Sequence, residues 1–147
     1  MTRQSKIKTM KKMLPLLLLF TGMVNAQTIN FPDVNFKTKL LSSSATNIVA
    51  ADLSGNFIQI DSNNDGEIQV SEALNVKSIY VQSSSIANVT GIESFLNLEG
   101  LFCQNNSIAS IDLSSLATVT TLNCSENSIT SINLGANTGL TNLYCSN

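Results

Sequence analysis

The sequence predicts an α/β solenoid wound from turns of about 21 residues behind a small N-terminal cap, and three observations carry the prediction. Cysteines stand at 103, 124 and 145, at equal intervals of 21 residues. Around each thiol the frame is constant: an apolar residue, two variable ones, Leu, one variable, Cys, as in LEGLFC from Leu98, VTTLNC from Val119 and LTNLYC from Leu140. After the first two thiols come two variable residues, Asn (Asn106, Asn127), one variable and Ile (Ile108, Ile129). Self-similarity at a fixed period in the low twenties marks stacked turns, each contributing one strand to a parallel sheet. With 43% hydrophobic and 12% charged residues, the chain has enough apolar surface to fold.

Residues 1–26 read as a secretory signal peptide. Arg3, Lys6, Lys8, Lys11 and Lys12 precede the apolar run Met13–Phe20, and Val24-Asn25-Ala26 offers small residues for cleavage. The alternative is an uncleaved anchor, but the run falls short of the ~20 residues that span a bilayer. No cysteine lies near the cleavage point to take a lipid. The expectation is a secreted or cell-surface protein with no transmembrane segment after cleavage. From Gln27 onward three lysines face ten acids, a balance of −7. Phosphate-backbone binding needs clustered Lys and Arg, so nucleic acid is not an expected partner.

Residues 27–75 form the predicted cap. Pro32 at a first helical position and Asp33 in the first turn favour a helix over about Asp33 to Leu41. Phe36 and Leu40 stand four apart, Leu41, Val34 and Phe31 extend the stripe, and Ser42–Ser44 ends it. That apolar face is expected to cover the first end of the solenoid, because terminal turns need a cap.

Residues 61–72, DSNNDGEIQVSE, fit a twelve-residue calcium loop of the EF-hand type position by position. Asp61, Asn63 and Asp65 occupy positions 1, 3 and 5, and Gly66 the sharp turn at 6. Glu67 offers its carbonyl at 7, Gln69 a water-mediated contact at 9, and Glu72 a bidentate carboxylate at 12. Oxygen ligands suit Ca²⁺, and the chain has no His for a transition metal. The alternative is an Asx-rich turn that binds nothing. The preceding GNFIQI alternates like a short strand, not like an EF-hand entering helix. A lone extracellular loop of this kind binds with Kd on the order of 10⁻⁴–10⁻³ M, so the ion is expected to be structural.

A short helix over Glu72–Asn75 leaves the loop, and the repeats run from 76 to 147. Val76, Ile79, Val81, Ser84 and Ile86 match the later frame, with Val81 in the cysteine place and Ser84 in the asparagine place. Ile79 to Leu101 is 22 residues and Leu101 to Leu122 is 21, and Gly91 marks a place for the extra residue. Strand cores are predicted at Ser78–Gln82, Leu101–Gln104, Thr121–Ser125 and Asn142–Tyr144. The sequence stops at Asn147, midway through a turn. The array therefore reads as incomplete at its C-terminus, the expectation for the front part of a longer protein.

The segments FPDVNFKTKLL, DSNNDGEIQVSEAL and TGIESFLNLEGLFCQNNSIASIDLS, in that order, resemble bacterial secreted and cell-surface leucine-rich-repeat proteins. The likeness is internalin-like in plan, covers roughly residues 30 to 147, and points to repeat proteins of Bacteroidota and Firmicutes. It implies an α/β-type leucine-rich-repeat solenoid with a parallel β-sheet on the concave face, and a binding or adhesion role outside the cell.

Cys103, Cys124 and Cys145 fall on the inward strand position. Neighbouring strands lie about 4.8 Å apart, within disulfide reach, but side chains pointing the same way would strain the ladder. The reading is a column of buried thiols. Asn106 and Asn127 are expected to bond backbone of the neighbouring turn. The outward column is Tyr80, Phe102, Asn123 and Tyr144, flanked by Gln82 and Gln104, and these six are the candidate ligand-binding residues. Aromatics also favour strands for packing alone, which is the competing reading.

No enzyme is expected. Without His neither Ser-His nor Cys-His activation is available, the acids outside the loop are scattered, and no Gly-rich phosphate loop appears. Two readings result. One is an extracellular recognition module for a protein or glycan ligand, stabilised by calcium. The other is a structural spacer or N-terminal cap of a larger secreted protein, an enzyme among the candidates.

Overall fold

The structure, a computed structural model, describes residues 27–146. The signal-peptide reading of 1–26 lies outside them. Helix α1 spans Val34–Leu41. Asp33 is its N-cap, not a first-turn residue, and accepts the amides of Asn35 and Phe36; Pro32 therefore lies just before the helix and not at its first position. Phe36 and Leu40, one turn apart, are fully buried, while Ser42 Oγ donates to the Lys39 carbonyl at 2.7 Å where the helix ends.

Strand β1, Ala50–Asp52, follows, and then helix α2, Val70–Ala73. The exit helix starts two residues earlier than expected, because Glu72 is its third residue and its carboxylate reaches back to the Gln69 amide at 3.0 Å. GNFIQI is not a strand. It returns beside β1 through one isolated bridge, Phe57 opposite Ala51, after a turn in which Asp52 accepts the amides of Ser54 and Asn56.

The solenoid strands are β2 (Val76–Tyr80), β3 (Gly100–Phe102), β4 (Ser110–Asp112), β5 (Thr121–Asn123), β6 (Ser131–Asn133) and β7 (Asn142–Tyr144). A five-stranded sheet runs β1-β2-β3-β5-β7, with β1 antiparallel and the rest parallel. Its register aligns Tyr80, Phe102, Asn123 and Tyr144 in one row and Ile79, Leu101, Leu122 and Leu143 in the next. A second parallel sheet, β4-β6, closes the other side of the turns. That sheet was not anticipated.

Strands β2, β3 and β5 end two residues sooner than predicted. Backbone bonds between turns continue past the strands, as from Val81 to Phe102 and from Ser83 to Gln104, but Ser83, Asn105 and Glu126 stand at positive φ and bend the chain out of the extended geometry of a strand. Between the sheets lie Ile79, Leu98, Leu101, Cys103, Ile108, Ile111, Leu113, Leu116, Val119 and Leu122, all buried. α1 and Phe31 close the first end of this core, the Phe31 ring meeting Phe36 edge-on at 5.6 Å.

The expected asparagine ladder is present. Asn106 accepts the amides of Ser84 and Ile86 and donates to the carbonyls of Val81 and Cys103. Asn127 repeats the pattern one turn on, accepting from Ile108 and donating to Cys103 and Cys124. Each amide satisfies backbone that the turn removes from the sheet.

Candidate functional site

Alternation along the strands puts Tyr80, Phe102, Asn123 and Tyr144 on the outer face of the five-stranded sheet, opposite the buried Ile79–Leu101–Leu122 row. Tyr80 and Phe102 are brought together: their rings stack with centroids 4.7 Å apart and planes 5° from parallel. Asn123 stands beside Phe102, with its own oxygen accepting the Ser125 amide, and Tyr144 lies one strand further, more than half exposed. Tyr144 therefore shares the row without joining the stack.

Phe57 adds a third ring that the sequence reading missed. The return beside β1 brings it edge-on to Tyr80, with centroids 6.5 Å apart. The alternation of GNFIQI was the available signal, since it puts Phe57 on the outer face once the segment pairs. Gly100 is a second missed participant. A Cβ there would stand 3.0 Å from Phe102 Cε2, so the glycine lets the phenyl ring lie back over the sheet. A depression of about 200 Å³ opens at this point, lined by Lys77, Ser78, Tyr80, Glu99, Gly100, Phe102, Thr120 and Thr121.

Gln82 and Gln104 follow the ring pair on the same face, one per turn. The Oε1 atom of each is buried and has no hydrogen-bond partner. Lys77 and Glu99 pair at 3.3 Å along the edge of the depression. Roomier clefts lie elsewhere. One of about 360 Å³ sits beside the Asp52 turn, and one of about 380 Å³ between Thr90 and Ser115. In the latter, Glu93 already holds the Gly91 amide, and Asp112 holds the Ser114 amide and Asn133.

The loop 61–72 gathers its polar side chains. Asp61, nearly buried, accepts the amides of Asp65 and Gly66 at 3.1 and 3.0 Å. Asn63 Oδ1 accepts the Asp65 amide, and the amide nitrogens of Asn63 and Gln69 both donate to Asp65 Oδ2 at 2.9 Å. The Glu67 amide, more than any other group, holds the Asp65 carboxyl below its ordinary value; burial opposes it, and Asn63, Gln69 and Lys37 assist. Glu72, also nearly buried, spans the loop by accepting from Ser62 and from the Gln69 amide. The Glu67 side chain pairs with Lys37 of α1 at 2.7 Å. Among the described residues no three His, Cys, Asp or Glu side chains converge as a metal cluster.

The cysteines stack as one column across β3, β5 and β7. Cys103 and Cys124 are buried and all three thiols are free. Burial, and then the neighbouring Cys124, push the Cys103 thiol up to about 12. Cys124 is raised by burial and then by Cys145. Cys145 departs from the expected buried column: it is exposed, just after the edge strand β7, where the described residues provide a neighbour on one side.

No family model and no curated protein matches the sequence. Among solved structures, the functional domain of InlJ from Listeria monocytogenes, which includes a cysteine ladder, is similar over 81% of this chain and 23% of its own, with a TM-score of 0.60 and 29% identity. The fold is an internalin-like leucine-rich-repeat solenoid. The chain spans about a quarter of the length of that InlJ chain. The CBM51-2 and INT domains of Clostridium perfringens ZmpB overlay with a TM-score of 0.47 at 23% identity, over 66% of this chain and 17% of theirs. An internalin, InlF, from Listeria monocytogenes overlays with the same TM-score at 20% identity, over 77% and 43%. Among the described residues no helix is long and apolar enough to cross a membrane.

Proposed function

We propose that this chain is an extracellular recognition module that takes a protein or glycan ligand on the concave, outer face of its sheet. The observation that carries the reading is the Tyr80–Phe102 stack, extended by Phe57, on a face that the fold leaves uncovered. Aromatic rings offer large contact area at low entropic cost, and solenoids use their exposed sheet as the binding surface. The likeness to InlJ supports a surface or secreted setting for such a role.

Calcium in the loop 61–72 belongs to the same reading, as a structural ion. The donor chemistry fits: two nearly buried carboxylates, Asp61 and Glu72, stand at the two ends of one twelve-residue loop, with Asn63, Asp65 and Gln69 between them. Asn63, Gln69 and Asp65 already touch one another, and a turned amide would present oxygen in place of nitrogen. The ion would supply positive charge to carboxylates that the loop otherwise satisfies with its own amides. The reading includes no catalytic step, and a thiol as reluctant to ionise as Cys103 is no nucleophile at neutral pH.

The second reading, a fold-starting cap within a larger protein, is favoured by the way α1 closes the first turns with Phe36 and Leu40 fully buried. The experiment that separates them is an array of glycans and extracellular proteins probed with residues 27–147, with and without EDTA, alongside a Tyr80→Ala/Phe102→Ala double variant. Recognition predicts hits that the double variant loses while its thermal midpoint stays within a few degrees. Hits that survive in the double variant, or none at all, would favour the cap.

A further inference from the structure

We propose that the aromatic face takes a cationic partner, a segment of another protein that presents arginine or lysine. This rests on the recognition reading above and names the partner's chemistry.

Charge is the first support. From Gln27 onward ten acids face three lysines, and two of those lysines are already paired, Lys37 with Glu67 and Lys77 with Glu99. Such a surface draws cationic segments and repels phosphorylated, sulfated or sialylated ones.

Hydrogen-bond polarity is the second. The face is short of partners for acceptors. Gln82 Oε1 and Gln104 Oε1 are buried without a donor, at equivalent places in successive turns, and Glu99 can only accept. Arginine and lysine bring donors and no acceptors. The two glutamine oxygens are closed to solvent, and the acceptor that an incoming N–H can reach is the Glu99 carboxylate lining the depression.

Geometry is the third. Because the Tyr80 and Phe102 rings are parallel and one strand spacing apart, they stand across the strand-to-strand direction. The second face of Phe102 is therefore turned toward β5, at the depression above Gly100. A cation settled within about 6 Å of that ring is attracted by its negative face. Glu99 lines the same depression and supplies a carboxylate. Its present partner, Lys77 at 3.3 Å, forms an exposed pair of little strength, which a guanidinium can displace with two parallel bonds. A planar guanidinium, able to stack and to bind the carboxylate together, suits the place better than an ammonium. A neutral glycan could stack on the ring but would leave the charge unused.

The test is a titration of the full mature chain, labelled with ¹⁵N, with a blocked Gly-Arg-Gly-Arg-Gly peptide, its glutamate counterpart and the neutral oligosaccharide chitotetraose. Expected are shifts with the arginine peptide at the amides of 80–82, 100–104 and 121–123, fading as salt is raised. Phe102→Ala, and Phe102→Leu with its bulk kept, should each weaken binding about tenfold. Glu99→Gln should weaken it up to about fivefold. Asp112→Asn, an acid on the other sheet, should change nothing. Shifts spread over all the acids, or an unchanged affinity in Phe102→Leu, would mean unspecific attraction and overturn the proposal. If chitotetraose moves these amides and the arginine peptide does not, the cationic partner is refuted while the recognition face stands. If no probe moves them, the cationic partner is refuted, and the array experiment decides the recognition reading separately.

Discussion

The Asp33 carboxylate accepts the Ala87 amide at 2.7 Å across 54 positions of sequence. The same oxygen takes the Asn88 amide at 3.0 Å, and its twin caps α1 through Asn35 and Phe36. One side chain thus starts the helix and fastens it to the first turn of the solenoid. Asn35 adds a second thread, donating to the Ser85 carbonyl at 2.8 Å. The buried pair Phe36 and Leu40 gives the docking its free energy, and the clasp gives it direction.

Asp33→Ala should therefore cost more than a simple cap, about 2–4 kcal/mol for a lost N-cap plus two tertiary amide bonds. Asp33→Asn keeps one oxygen and should cost roughly half of that. Urea unfolding of the three proteins checks this, through midpoints that fall in that order at an unchanged slope. A wild-type midpoint for Asp33→Ala would show that the clasp contributes nothing.

Acid should loosen the same joint. Burial pushes the Asp33 carboxyl up, but the four amides of Phe36, Ala87, Asn88 and Asn35 together outweigh it and hold the group below its ordinary 3.8. A carboxyl depressed in the folded state stabilises fully above its unfolded value and loses that contribution as pH falls through the folded one. Asp112, lowered chiefly by Ser114, and Asp52, lowered chiefly by the Asn56 amide, add the same sign. Thermal midpoints should thus hold steady down to about pH 4–5 and drop below it. The drop should be shallower in Asp33→Asn. Equal acid limbs in the two proteins would remove Asp33 from the account.

What could be read from the sequence follows from which interactions are periodic. The cysteine interval aligned Leu101 with Leu122 and Phe102 with Asn123, because each turn adds one strand in register. The same period gave Asn106 and Asn127 their ladder role. Phe36 and Leu40 marked α1 by helical spacing. The contacts that escaped are single and long-range. Ala50–Asp52 carries little strand propensity and pairs with β2 only through tertiary context and a bulge. The approach of Phe57 to Tyr80 depends on that pairing, so the alternation of GNFIQI gave Phe57 a face but not its neighbour. Asp33 was legible as a helix start, but nothing near it in the chain pointed to Ala87. Glu72 reads locally as the start of the exit helix, while its carboxylate reaches back to the Gln69 amide and the helix begins at Val70.

If the loop binds calcium, the ion should stabilise the fold by mass action. For Kd between 10⁻⁴ and 10⁻³ M, 10 mM Ca²⁺ adds about 1.4–2.7 kcal/mol. The thermal midpoint should rise with CaCl₂ and fall back with EDTA, and Mg²⁺ should do much less. Asp61→Asn with Glu72→Gln should abolish the response. A midpoint indifferent to 10 mM calcium would leave the loop as an Asx turn closed by its own amides.

Asn127 should be the costlier rung of the ladder to remove. It is nearly buried, and truncation orphans the Ile108 amide and the Cys124 carbonyl beneath a closed turn. Asn127→Ala is expected to cost about 3 kcal/mol, whereas Asn106→Ala, where water can reach, should cost less. Paired denaturation curves test the order, and a reversed order would mean that burial does not govern the cost.

Gly91 and Gly55 offer a cleaner comparison, because they share a backbone problem and differ in their surroundings. Gly91 has φ +103 and Gly55 φ +87, so alanine at either must adopt a conformation that L residues avoid. Around Gly55 nothing lies within 4 Å of a new Cβ. At Gly91 the new atom would stand 2.5 Å from Phe31 Cδ1 and 3.0 Å from the Asn30 carbonyl oxygen. Phe31 is itself wedged between Phe36 and Phe95, so its ring cannot swing aside without opening the first end of the core. Gly55→Ala should therefore cost about 1 kcal/mol, the backbone share alone. Gly91→Ala should cost that plus about 1–3 kcal/mol of overpacking. Phe31→Leu in the Gly91→Ala background should recover part of the loss, since a smaller side chain makes room for the methyl group. Equal costs at the two glycines, or no recovery with Phe31→Leu, would show that the Phe31 contact does not explain the glycine.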